Sequence, residues 1–263
     1  MENPIITLTT DWSTRDFFVG RVKGWLMSHI PEVRIVDITH SVNVFDLNCA
    51  IFVVKNGCLE FPPGTIHIID VDTGNGEAAD YVVVEYKQQY FLCADNGLPS
   101  AVFGKDYTSA YKLRTHEGYA NTFVAYDLYC RVAEKIASGE SIDSLGVLKE
   151  SLLERVPLGY STTKDGLLLY VSYIDSYGNA YLSITRNEFE QIAAGRKFEF
   201  QFREYRASEI SQYYQPLSPN QAHKANMLIV ESTTGHLQLA LPKMSAEQLL
   251  GIRVQASVTV VFS

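Results

Sequence analysis

Five aspartates stand where short apolar runs pass or end: Asp11 after IITLTT, Asp37 inside RIVDIT, Asp70 and Asp72 in IIDVD, and Asp95 after YFLCA. A carboxylate at the mouth of a crevice can take a proton from water, hold a sugar diol or balance a cation. Behind Asp72 the chain reads Gly74-x-Gly76-x-x-Ala79, the outline of a dinucleotide-binding turn. Such a turn needs a helix directly after its glycines, because the helix N-terminus holds the pyrophosphate. The chain instead continues as DYVVVEY, KQQ and YFLCA, a β-hairpin pattern, so no helix supplies those N–H groups. Two readings stay open. Gly74 and Gly76 only permit a sharp turn, or the turn lies at the carboxyl end of a central parallel strand, where open α/β sheets place ligands. In the second case Asp11, Asp72 and Asp95 crowd together and suit a polyhydroxylated or cationic ligand. In the first, each is a turn or cap aspartate; Asp95-Asn96-Gly97 is good turn chemistry.

The elements that must position these residues alternate through the first half. IITLT is a short strand. Asp16 can cap a helix in which Phe18, Val22, Trp25 and Leu26 recur at helical spacing. RIVDIT is the next strand. FDLNCAIFVVKNG reads as a second helix, with Asp46 near its start and Gly57 as a C′ glycine. Pro62-Pro63-Gly64 then turns the chain into TIHIIDV. Strand, helix, strand, helix, strand predicts a mainly parallel, Rossmann-like α/β domain. Helical spacing returns over Thr122–Gly139 through Val124, Leu128, Val132 and Ile136. After Pro157 six strand patterns come in succession between turns such as SYGN and TTG, with short helices only near Asn187–Ala194 and Ser245–Leu250. We therefore expect an α/β domain over 1–155 and a small antiparallel β-barrel over 156–263.

Composition sets the outer limits. The 263 residues are 46% hydrophobic and 20% charged, with net charge −8, which argues against nucleic acid or an anionic membrane as partner. The start MENPIITLTTDW lacks a signal-peptide pattern, and no apolar run approaches a membrane span, so a cytoplasmic protein is expected. Cys49, Cys58, Cys93 and Cys130 show no CxxC spacing and read as reduced thiols. The histidines lack ligand spacing, so no metal site is expected.

Several motifs in one order carry a resemblance: TLTTDW, DFFVGRVKG, IVDITH, FPPGTIHIIDVDTGNG, ADNGL, YIDSYGN, and the closing ESTTGHLQLAL and SAEQLLGIRVQASVTVVF. Together they resemble the S-adenosyl-L-methionine (SAM) hydroxide adenosyltransferases, relatives of the halide-using fluorinase and chlorinase. The resemblance implies a homotrimer with SAM between one subunit's N-terminal domain and its neighbour's barrel. It implies attack of water or hydroxide on the ribose C5′, giving adenosine and methionine. SAM is then substrate or ligand, and no cofactor is expected. Asp72 would orient the attacking water, with Thr73 and Asn75 beside it. Asp11 would hold the ribose diol. Asp175 and Asn179 would read the adenine or hold the adenosyl end, and Tyr177, where the family has phenylalanine, would stack on the base. The family's arginine after the turn falls at Ala79, and its helix-start histidine at Val124. Asn75 or Glu77 is then a replacement partner for Asp72. A non-catalytic adenosine- or SAM-binding protein of the same fold is the alternative, and an α/β hydrolytic enzyme on another nucleoside a third. Halide chemistry is not expected from VDTGNG.

Overall fold

Short apolar runs and amphipathic stretches alternate to build the first half of the chain. In the computed structural model, which describes residues 3–74, 80–115, 122–214 and 227–263, they form β1 (Ile5–Thr10), α1 (Phe18–His29), β2 (Arg34–Thr39), α2 (Leu47–Gly57) and β3 (Ile66–Asp70). The hairpin β4 (Tyr81–Tyr86) and β5 (Gln89–Ala94) comes next, then α3 (Leu98–Phe103) and β6 (Ser109–Leu113). A π-helical turn, Ala125–Tyr129, runs directly into α4 (Cys130–Ala137), and β7 (Gly146–Leu148) completes the sheet. These elements lie in a compact unit spanning Met1–Val156.

The sheet order is β2-β1-β3-β5-β4-β6-β7. It is parallel through β2-β1-β3-β5 and antiparallel through β5-β4-β6-β7. The expected mainly parallel sheet is thus parallel in one half only. The hairpin has no crossover helix, so β4 must return antiparallel. Its turn residues Lys87 and Gln88 both have positive φ, a primed hairpin turn made without glycine.

Ile6, Leu8, Ile66, Ile68 and Leu92 face Val22 and Leu26 of α1 and Leu128, Val132 and Ile136 of the π-turn and α4 in one buried core. The α1 cap differs from expectation. Phe17 is its N-cap with no side-chain bond, and Asp16 is exposed before it. Asp46 does cap α2, accepting from the Cys49 N–H at 3.0 Å. Gly57 is the last residue of α2 rather than its C′ position. Its need is space, since a Cβ there would meet Ile38 Cγ2 at 2.9 Å.

The second unit, Pro157–Ser263, is almost all β. It holds β8 (Ser161–Thr162), β9 (Gly166–Ile174), β10 (Ala180–Thr185), α5 (Arg186–Ala193), β11 (Phe198–Phe202), β12 (Tyr205–Ala207) and β13 (Ile210–Ser211). It ends with β14 (Leu228–Glu231), β15 (His236–Ala240), α6 (Ala246–Leu250) and β16 (Ser257–Phe262). The strand order β12-β11-β16-β9-β10-β15-β14-β13 forms a nearly barrel-shaped sheet, and among the described residues only β13 and β14 pair parallel. Alternating residues such as Leu167, Leu169, Val171, Ile229, Leu237 and Val258 fill its interior. A full capping box, Thr185 with Glu188, starts α5. Among the described residues no helix is long and apolar enough to cross a membrane.

Candidate functional site

β1, β3 and β5 lie side by side and parallel, so their carboxyl ends share one edge of the sheet. Asp11 follows β1 at once, Asp70 ends β3, Asp72 stands two residues on, and Asp95 follows β5. The topology therefore gathers four of the five aspartates. The fifth, Asp37, lies on the outer strand β2 and is tied to Lys23 at 2.5 Å and to His40 at 3.1 Å. Burial favours its neutral form, but these two partners outweigh that and hold its carboxyl below the usual range.

The four gathered carboxylates are not equivalent. Asp95 is buried and already engaged: one oxygen takes the Leu153 N–H at 2.8 Å, the other meets Lys149 at 3.0 Å. Lys149 also holds Asp80 at 2.8 Å, and Lys112 holds Asp80 at 2.6 Å. Asp95 thus anchors the edge and is not free for a ligand. Asp80 likewise spends its charge on two lysines.

Asp70 is 4% exposed and lies opposite Thr10. Trp12 Nε1 donates to its Oδ2 at 2.9 Å, and the Thr73 side chain hydrogen-bonds it too. Its Oδ1 has no hydrogen-bond partner among the described residues. Burial pushes this carboxyl up to about 6, against the pull of Thr73 and Trp12 and with a further push from Asp11. An acid with a raised folded value destabilises the fold when ionised. Here that penalty is absent below about pH 3.8 and complete above about pH 6. Full ionisation costs roughly 3 kcal/mol. The Asp70→Asn protein should therefore gain on the parent in thermal midpoint as pH rises from about 4.5 to about 7.5. A difference that does not grow with pH would show that Asp70 is not a strained carboxylate.

Asp72, like Asp11, is accessible, whereas Asp70 and Asp95 are buried. Asp72 is half-buried, with φ +47°, a left-handed conformation uncommon for a non-glycine residue. Asn96 holds it there: its Nδ2 donates to the Asp72 carbonyl at 2.9 Å and to the Val71 carbonyl at 3.3 Å. Gly74, with φ +66°, completes the turn. Burial, then Asp11, raise the Asp72 carboxyl above its ordinary value, and Arg155 draws it back. Asp11 gives one oxygen to the Phe45 N–H at 3.0 Å. Asn75 and Ala79 lie outside the described residues. Val124 is 4% exposed in the core at the start of the π-turn.

Arg155 carries no motif signal in LLERVP, and sequence reasoning missed it. Asn96 was legible only as a turn residue.

In the second unit, Asp175 organises its own turn. Its Oδ1 accepts from the Tyr177 and Asn179 N–H groups at 3.0 and 2.9 Å, and its Oδ2 from Asn179 Nδ2 at 3.1 Å. The amide oxygen of Asn179 has no donor among the described residues and is available as an acceptor. Tyr177 is 79% exposed. Gly178, with φ +80°, packs so closely that a Cβ would come within 2.0 Å of Ser245 Oγ, at the N-cap of α6. A cavity of about 680 Å³ opens beside this turn, lined in part by Tyr177, Asn179, Tyr181, Tyr214 and Met244. Burial, then Asp175, push the Tyr181 hydroxyl up to about 12, so it stays protonated as a donor. The lining is aromatic with a few polar groups, the composition of a planar-ligand pocket. Among the described residues no group of three or more His, Cys, Asp or Glu could hold a metal ion. All four cysteines are buried, and burial raises their thiols.

The carboxylate edge lies on an α/β sheet and the aromatic pocket on a nearly barrel-shaped β unit, so the chain is of the mixed α/β class with two sheets. The chain matches the SAM hydroxide adenosyltransferase N-terminal domain over residues 6–146 and its C-terminal domain over residues 169–259. It belongs to the SAM hydroxide adenosyltransferase family. It is 29% identical over 191 residues to the (R)-S-adenosyl-L-methionine hydrolase of Methanocaldococcus jannaschii, covering 70% of this chain and 68% of that protein. It is 24% identical over 225 residues to the fluorinase of an Actinoplanes species, covering 73% and 76%. The solved structure of an uncharacterized conserved protein from Thermotoga maritima shares the fold, with TM-score 0.84, 22% identity, and coverage of 98% of this chain and 99% of that one.

Proposed function

We propose that this protein cleaves SAM with water at the ribose C5′, releasing adenosine and methionine. One observation carries the reading: Asp72, held in a left-handed turn at the carboxyl end of β3, keeps its carboxylate free of hydrogen bonds among the described residues. Water oxygen bonds to C5′ while the C5′–S bond breaks, and the electron pair neutralises the sulfonium. The leaving thioether needs no acid. The site's work is to align one water, exclude others and take its proton. Asp72 takes that proton. Asp11 holds the ribose diol through its second oxygen. Thr73 and Asn75 flank the water. Asn179 and Tyr177 receive the adenine, with Asp175 shaping their turn. The α/β unit and the barrel act as two domains, 1–155 and 156–263. The proposal includes a homotrimer, with these surfaces meeting across neighbouring subunits, and a cytoplasmic setting without cofactor, metal, nucleic acid or membrane.

The buried valine at position 124 favours one second reading, a SAM- or adenosine-binding protein without turnover, because no titratable group stands there. Incubation with SAM separates the two. Adenosine appearing by chromatography supports the enzyme. A raised thermal midpoint without adenosine supports the binder. Neither effect at millimolar SAM removes both.

A further inference from the structure

Arg155 reaches the site from the far end of the first unit and is fixed there at three points. Its backbone N–H donates to Ser100 Oγ at 3.0 Å, and that hydroxyl donates to the Leu153 carbonyl at 2.6 Å. Its guanidinium donates to Asn48 Oδ1 at 3.2 Å. Its stem lies so close on Gly97 that a Cβ there would meet Arg155 Cβ at 2.7 Å and Cδ at 3.1 Å. Gly97, with φ +93°, directly follows Asn96, the residue that clamps the Asp72 carbonyl. The Asn96-Gly97 turn thus touches both the Asp72 backbone and the Arg155 stem.

We infer that Arg155 is a positioning residue for the Asp72 chemistry, supplying positive charge to the Asp72 turn from the chain's distant segment 149–155. The inference rests on the function proposed above. Among the described residues no ion pair joins Arg155 to Asp72, yet the guanidinium's charge draws the Asp72 carboxyl down. Without a cation, burial and Asp11 would favour protonated Asp72, which cannot accept a proton. Asp70 adds its own strand's charge when ionised, and Asp95 is neutralised by Lys149. Among these described residues, Asp11 and Asp72 outnumber the Arg155 guanidinium, so the edge stays negative, which suits a sulfonium.

The test compares the parent, Arg155→Met and Arg155→Lys by two measurements. One is adenosine release from SAM against pH. The other is the carboxyl titration of Asp72 by NMR in ¹³C-aspartate-labelled protein, assigned with Asp72→Asn. In Arg155→Met, turnover should fall about tenfold or more. The acid limb of the rate profile and the Asp72 titration should both move to higher pH, and lysine should restore their positions. Unmoved limb and titration in Arg155→Met overturn the inference. If the parent releases no adenosine, the proposed function fails, and the titration alone decides the role of Arg155. If Arg155→Met does not fold, Arg155→Gln, which also removes the charge, is read by the same criteria.

Discussion

Asp72→Asn should lower adenosine formation at least about a hundredfold while SAM still raises the thermal midpoint. General-base assistance is worth roughly 10²–10⁴ in rate, and an amide cannot take the water's proton. The fold should tolerate the change. Asn is among the non-glycine residues that accept positive φ, and the clamp from Asn96 falls on the backbone carbonyl, not on the carboxylate. Stopped turnover with retained binding is therefore the expected pair of results. Turnover within a few-fold of the parent would move the base to another group.

Lys149→Met should cost about 2–3 kcal/mol of stability. Breaking a fully buried pair by removing one partner costs about 3–5 kcal/mol, and the partial exposure of Lys149 discounts that. Lys149 binds Asp80 at 2.8 Å and Asp95 at 3.0 Å, and Asp95 is 5% exposed. Burial opposes the lysine's charge, yet its hydrogen bonds to Asp80 and Asp95 prevail and hold its pKa above the ordinary value. Without it Asp80 keeps Lys112, while Asp95 is left as a buried carboxylate with only the Leu153 N–H. The double variant Lys149→Met with Asp95→Asn removes both charges and should recover most of the loss. Denaturant unfolding of the three proteins checks this; no recovery in the double variant would show that Lys149 matters through packing alone.

The alternation of apolar runs with helical spacing, the hairpin after Gly74 and the strand-rich second half could all be read along the chain, because these patterns are local and periodic. The same holds for Asp46 as a cap and for the turn at Asp175. The ordered motifs also placed the chain in its family. Other features were not local. Asp16 looks like a cap in one dimension, but the chain enters α1 through Phe17. Gly57 looks like a helix stop, but what decides it is the methyl of Ile38 on strand β2.

Within the site the division is the same. The sequence alone determined that aspartates end the central strands. Only the tertiary structure decided which aspartate is free. Lys149 and the Leu153 N–H engage Asp95, Trp12 and Thr73 cover Asp70, and Asn96 presents Asp72. It also brought Arg155 to the Asp72 turn across more than eighty residues. Charge interaction depends on distance and burial, and residue order records neither.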